Sequence, residues 1–292
     1  MSMSSNGIGT MVPMTVQVEL AHAATSVLAR QAGVDVIVLK GPGMDPSVAS
    51  ADRGSSDVDV LVRPDQLNRW LRLLASHGWT ALDRFATGSS FEHSQTFAHE
   101  VWGHMDVHRF VPGVGLAPED AFDQLQESCI EVPLAGVPCR LPDPASQALI
   151  LLLHAARSHG SSRAQQDIDH AWTRAAPERR AAILSLVEKF DAHVGWAALT
   201  GELDKFASDP AYRLWVVASR GGSRTQEWRA RIALAPTLGE KAKVAARALL
   251  VNTDHLAIVL GRRPTRAEVI QEFVGRFRLG FLELTHRARG RT

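Results

Sequence analysis

Two cysteines, Cys129 and Cys139, are all that the 292-residue chain contains. Two thiols are too few for a disulfide framework or a zinc site. They could meet across a hairpin, but they read as reduced structural thiols of a cytosolic protein. Charge of one sign is equally scarce: 32 Lys and Arg face 31 Asp and Glu, a formal net charge of +1. That excludes a whole-protein electrostatic clamp on nucleic acid, which is not an expected partner. No apolar run approaches the ~20 residues that span a bilayer. The most apolar stretch, Ala145 to Ala156, reads as a buried helix, and no membrane partner is expected. The Ser/Gly-rich segment Met1 to Val12 lacks the charged region and long apolar core of a signal peptide, so a cytoplasmic location is expected. Neither a His-Glu-x-x-His pattern nor a paired-Cys spacing occurs, which excludes a zinc hydrolase, and no internal repeat is visible.

What is present is a globular composition, 45% hydrophobic and 22% charged. Helical spacing over Thr15 to Ala32 ends at Gly33, and Val34 to Leu39 reads as a short buried strand. Lys40-Gly-Pro-Gly43 breaks that strand, and a Gly/Ser/Pro/Asp-rich loop runs to Ser56. Asp57 to Val62 predicts a strand with two unlike faces, and the segment after Pro64 predicts a helix with Leu67, Trp70, Leu71 and Leu74 on one stripe. Further strands are expected at Thr80 to Phe85, Ser90 to Ala98 and Val101 to Phe110. A short helix after Pro118 and a hairpin over Ile130 to Leu141, turning at Ala135-Gly136, follow. Helices are expected at 145–159, 163–175, 178–190, 195–206, 211–219, 238–260 and from 266 towards 281. An α+β fold follows: a small mixed sheet with flanking helices over residues 1–143, then an all-helical domain over 144–292. The arginines at 276, 278, 287, 289 and 291 read as a solvated helix face and tail, with phosphate binding the alternative.

Side chains at i and i+2 share a strand face, so Asp57 and Asp59 point the same way and Val58, Val60 and Val62 the other. Two carboxylates on one buried face repel unless a cation lies between them. Magnesium or manganese suits such oxygen ligands and is usually shared with substrate phosphates. A third acid, Asp106, lies on another expected strand and could complete a two-metal site. His108 shares the face of Asp106 and His104 and is a candidate to orient that carboxylate or bond a substrate; His93 and His99 are also near. Lys40 and Arg53 could add positive charge towards phosphates, or be solvated loop cations. His154, in an apolar helix, reads as a core histidine; Asp167 is the acid of the following helix able to reach a cleft, while Asp169 faces elsewhere. The scattered tryptophans read as core packing.

Leu39-Lys-Gly-Pro-Gly43, Arg53-Gly-Ser-Ser-Asp-Val-Asp-Val-Leu-Val62 and Met105-Asp-Val-His108 together resemble the DNA polymerase β-type nucleotidyltransferase superfamily. More narrowly, they resemble a family of mostly uncharacterised bacterial nucleotidyltransferases with a Leu-Lys-Gly … Arg … Ser-Asp-x-Asp … Val-Asp-x-His pattern. A weaker echo continues in Leu151-Leu-Leu-His154 and Arg163 to Asp169. The resemblance implies a metal-dependent enzyme that moves a nucleoside monophosphate from an NTP, ATP the expected donor, to a hydroxyl, phosphate or amine on a small molecule, peptide or protein. Asp57, Asp59 and Asp106 would be catalytic and bind the metal, Asp106 also helping to deprotonate the acceptor. Lys40, Gly41, Gly43, Arg53, Ser56 and His108 would bind the nucleotide. Transfer from another activated nucleotide such as a sugar nucleotide, or a silent nucleotide- or partner-binding module, are the alternatives. One departure stands out. The superfamily usually has Gly-Gly or Gly-Ser where this chain has Gly41-Pro42-Gly43. Proline donates no amide hydrogen, so the phosphate cradle is either remodelled around Gly43 and Met44 or weakened.

Overall fold

Helix α1, Met14–Ala32, is the first element of the computed structural model, which describes residues 12–50, 52–249 and 264–275, together with 253, 256, 260 and 262. Gly33 ends α1 in the left-handed conformation (φ 60°), its amide returning to the carbonyls of Ala29 and Arg30. Strands β1 (Val36–Lys40) and β2 (Asp57–Val62) follow. A single tight turn at Pro64–Gln66 leads into α2, Leu67–Ser76, which buries Trp70 and Leu74.

Strand β3 is only Thr80–Ala81, shorter than the expected Thr80 to Phe85. The Asp83 carboxylate accepts the Thr96 amide at 2.8 Å, so a side chain takes over where the ladder would continue, and the chain turns into α3, Phe85–Gly88. β4 (Ser94–His99) begins four residues later than expected, after a turn at Glu92 with φ 55°. β5 (Gly103–His108), α4 (Pro118–Glu127) and the hairpin β6 (Ile130–Leu134) and β7 (Val137–Leu141) complete this half. Ala135 (φ 45°) and Gly136 (φ 78°) make the hairpin turn, both positive as a two-residue primed turn requires.

The chain then runs through α5 (Pro144–Ala156), α6 (Ser162–Ile168), α7 (Pro177–Lys189), α8 (His193–Thr200), α9 (Tyr212–Arg220), α10 (Arg224–Leu234) and α11 (Leu238–Leu249). The helix expected over 163–175 changes after Ile168 to a wider turn, Asp169–Thr173. The one expected over 195–206 stops at Thr200, because Gly201 adopts φ 80°, and resumes as a short 3-10 turn at Leu203–Phe206. Helix α10 was not expected. Its signal was nevertheless present: Ser223 and Gln226 cap it reciprocally, the Ser-x-x-Gln form of the capping box. Residues 266–275 are helical; the arginines from 276 onwards lie outside the described residues. Among the described residues no helix is long and apolar enough to cross a membrane.

The main sheet has the order β1-β2-β5-β4-β3; β2 and β5 run parallel and every other pair antiparallel. One face carries Val36, Val38, Val58, Val60, Val62, Met105 and Val107 into a core shared with α1, α2 and the β6–β7 hairpin. Burying each such side chain contributes roughly 1.5–3 kcal/mol. The opposite face is apolar only in part. Ile37, Leu39 and Leu61 pack with Leu149, Leu151, Leu152 and Leu153 of α5 and with Ile183 and Phe190 around α7. Beyond Leu61 this face turns acidic, and α5 therefore flanks the polar patch.

Candidate metal and nucleotide site

The parallel β2–β5 register sets Asp59 directly opposite Asp106 and Asp57 opposite His104. Donor atoms of Asp59, Asp106 and His108 all lie within 4.8 Å of one another, and the group fits a metal site. Oxygen ligands sit about 2.1 Å from magnesium, so small side-chain adjustments would close Asp59 and Asp106 on one ion. Asp57 stands on the same strand face, half-buried, with Ser56 Oγ 3.4 Å from its Oδ1. Asp106 receives the Thr96 hydroxyl at 2.7 Å from the neighbouring strand β4. His108 Nε2 lies 2.9 Å from Asp59 Oδ1 and donates to it, since an ionised carboxylate only accepts. His108 thus orients Asp59; of its two expected tasks, orienting Asp106 or bonding a substrate, the first goes to the other acid of the pair.

Lys40 reaches this face through a β-bulge. Val38 pairs with Val60, but Lys40 pairs with Asp59, so one extra residue of β1 is accommodated between them. Regular alternation would send Lys40 to the same side as Val36 and Val38. The bulge re-aims it, and Lys40 Nζ lies 3.1 Å from Asp59 Oδ1. The two acids of β2 consequently differ. Burial works against ionising Asp59, yet Lys40 and His108 together hold its carboxyl far below the usual range. Asp57 is pushed above that range, first by burial and then by repulsion from Asp59 and Asp106. A face that leaves one of its carboxylates in this state is suited to receiving a cation.

The glycine loop is close-packed. Gly41 has φ 131°, and a Cβ there would lie 2.6 Å from the Nε2 of buried His22. Met44 donates its amide to the Gly41 carbonyl at 3.2 Å, closing a turn, and Val48 and Ala49 both donate to the Asp45 carbonyl. No helix starts between Gly43 and β2 among the described residues, so the loop does not present a helix N-terminus to a phosphate. Arg53 is turned to Asp167 of α6. Its Nε lies 2.7 Å and its Nη2 3.2 Å from the two carboxylate oxygens, with both side chains buried. Asp169 pairs instead with Arg174 at the surface. His99 packs on Trp79 at the far edge of the sheet, and His104 is exposed.

Three further groups gather beside the acids, and sequence reasoning gave them little or no weight. Arg157 caps the C-terminus of α5; its Nη1 lies 2.8 Å from His93 Nε2 and its Nη2 3.1 Å from His154 Nδ1. Guanidinium only donates, so both histidines accept from it. His93 then carries its proton on Nδ1, which donates to Ser89 Oγ at 2.7 Å, and His154 carries its proton on Nε2. Burial, then the charge of Arg157, keeps His93 neutral; burial, then Lys40 and Arg157, lowers His154 to about 2. The His93 ring lies 5.1 Å from that of His108, which links this cluster to Asp59. His154 is thus a largely buried histidine that, besides packing in α5, holds the guanidinium of Arg157. The available signal was spacing: His154 and Arg157 are three residues apart and share a helix face.

A family model of uncharacterised nucleotidyltransferases matches residues 15–195, well over half of the chain. No curated protein matches significantly. Among solved structures, similarity reaches an antigenic nucleotidyltransferase-like protein from Paracoccidioides brasiliensis, at 14% identity and a TM-score of 0.39, covering 63% of this chain and 92% of that one. The antibiotic-resistance factor ANT(2'')-Ia is 13% identical with a TM-score of 0.37, covering 67% and 96%. The lincosamide antibiotic adenylyltransferase LnuA, solved with lincomycin bound, is 17% identical with a TM-score of 0.30, covering 57% and 94%. The family match runs from α1 into α8 and includes every residue of the acidic face and its cationic flank; the chain belongs to the family of uncharacterised nucleotidyltransferases.

Proposed function

We propose that this enzyme transfers a nucleoside monophosphate from a nucleoside triphosphate, ATP the first candidate, to a hydroxyl, phosphate or amine of a small molecule, peptide or protein. The observation that carries the reading is the alignment of Asp59 with Asp106 across the parallel β2–β5 pair, with Asp57 on the same face. Asp57, Asp59 and Asp106 would hold magnesium or manganese. When bound, such an ion neutralises charge on the phosphoryl oxygens and lowers the pKa of a coordinated nucleophile.

The chain's own groups have separable tasks. His108 and Lys40 keep Asp59 ionised and fixed. Thr96 occupies one oxygen of Asp106, leaving the other to take a proton from the acceptor. Lys40 stands where it can exchange part of its contact with Asp59 for a phosphate oxygen. Gly41, Gly43 and Ser56 would bind the nucleotide phosphates. Arg53 supports that loop through Asp167. The two unbridged thiols favour a reducing compartment, and we assign the enzyme to the cytoplasm.

The test is incubation with each labelled NTP, magnesium or manganese and a fractionated metabolite extract, followed by mass analysis. The expected product is an acceptor heavier by one nucleoside monophosphate, with pyrophosphate released. Release of a nucleoside diphosphate instead, or full activity in Asp57→Asn and Asp59→Asn variants, would overturn the reading.

A further inference from the structure

We infer that Arg157, with Lys40 and the Nε2–H of His154, forms an anion subsite for the polyphosphate of the nucleotide, a side-chain substitute for the backbone cradle that Pro42 interrupts. The inference rests on the nucleotidyl-transfer reading above and deepens it by naming the group that holds the leaving phosphates.

The starting point is an imbalance of charge. Two other arginines with little exposure meet carboxylates: Arg53 meets Asp167, and Arg231 meets Glu92 at 2.7 Å and Glu227 at 3.5 Å. Arg157 meets two neutral imidazoles. Its Nε is buried and has no hydrogen-bond partner, and among the described residues no carboxylate lies within ion-pair distance of its guanidinium. Burial lowers its own pKa to about 10, and Asp59 and Asp106 offset this only in part. A buried charge left without a counter-ion is unfavourable, and this one is held open by partners that orient it without neutralising it.

The position supports a phosphate ligand. Arg157 is joined through His93 to the ring of His108, and so to Asp59; Lys40 touches the same carboxylate from β1. Cations therefore flank the acidic face on two sides. A metal-bound polyphosphate is the ligand class that needs both: a carboxylate-held cation at one end and direct positive charge along the rest. The tautomer fixed on His154 leaves an N–H donor on the same helix face as the guanidinium. The backbone alternative is poor here. Pro42 has no amide hydrogen, Met44 already donates to Gly41, and no helix lies between Gly43 and β2 among the described residues. Arg53, another cation near the loop, is matched by Asp167.

The experiment is calorimetric titration of the full chain with inorganic pyrophosphate, with an NTP and with the matching nucleoside monophosphate. Each titration contains calcium, an oxygen-binding cation used in place of magnesium to suppress turnover. Wild type is compared with Arg157→Gln and Arg157→Lys, the fold of each variant being checked by thermal melting. The expected result is at least tenfold weaker binding of pyrophosphate and NTP by Arg157→Gln, partial recovery by Arg157→Lys, and an unchanged response to the monophosphate. If Arg157→Gln does not fold, Arg157→Lys carries the test, because a point charge replaces the planar fork and binding should fall measurably. Unchanged affinities in the folded variants would overturn the subsite and leave the transfer reading standing, as would equal losses for all three ligands. Absence of any polyphosphate binding by wild type would overturn both.

Discussion

Asp59 Oδ1 is shared by Lys40 Nζ at 3.1 Å and His108 Nε2 at 2.9 Å, while Asp57, two residues earlier on the same face, has only a long contact with Ser56. This asymmetry makes the two acids respond differently to the same substitution. Asp59→Asn leaves Lys40 and His108 facing a neutral amide in a buried setting, and should lower stability by on the order of 3 kcal/mol. Chemical denaturation of the metal-free protein measures this directly. Transfer activity should fall at least 10²–10³-fold, the scale of losing one electrostatic group at a reacting phosphate.

Asp57→Asn removes a source of repulsion instead. Its carboxyl sits above the usual carboxylate range in the metal-free fold, so its ionised form opposes folding at neutral pH. The variant should melt at or above the wild-type temperature without metal. Added magnesium or manganese should raise the melting temperature of wild type by mass action and that of either Asn variant much less. A clear destabilisation of metal-free Asp57→Asn would contradict this account.

Arg53 and Asp167 join the loop between β1 and β2 to α6 through a two-pronged, buried ion pair. Arg53→Ala or Asp167→Ala should each cost about 3–5 kcal/mol, because each leaves an uncompensated buried charge. Arg53→Met combined with Asp167→Leu should recover most of that loss. A double-mutant cycle in urea, with Arg53→Met and Asp167→Leu each alone and together, is the check, and additive losses would mean that the pair is not coupled.

Acid should weaken the fold before the carboxylates titrate. His154 is lowered to about 2 and His93 lies well below its ordinary value of 6.5, so both stay neutral in the folded chain while the unfolded chain takes up protons below about pH 6.5. Protons bound by the unfolded state exceed those of the folded state in that window, and stability therefore falls as pH drops. The slope is at most about 1.4 kcal/mol per pH unit for each histidine. His154→Gln should flatten the profile between pH 6 and 4.5; an unaltered slope would show that the imidazole is protonated in the fold.

The acidic face was legible because strand alternation is a strict period of two: Asp57 and Asp59 had to share a side, and Val58, Val60 and Val62 had to enter a core. Pairing was harder to foresee. Lys40 arrives beside Asp59 only through a bulge, and a bulge belongs to the register between two strands, which neither strand encodes alone. Thr96 supports Asp106 for the same reason. Arg157 and His154 were obscured by the apolar run around them, since composition marked α5 as core and said nothing of which residues at its end turn to the sheet. The shortened β3 and the break at Gly201 depend on an aspartate side chain and a glycine conformation, and both could be read as ordinary loop residues.

The parallel pairing of β2 with β5 also governs when this chemistry can exist during folding. Parallel neighbours cannot be joined by a tight turn, so residues 63–102, carrying α2, β3 and β4, must be laid down before Asp106 can stand beside Asp59. Closing that long connection precedes any reward from the pairing. A chain still emerging from synthesis, or one opened locally at β5, holds its acids apart and would lack the proposed site for a divalent ion. Cation uptake by the proposed site would therefore report completion of the sheet, and its rate after dilution from denaturant would time the last steps of folding.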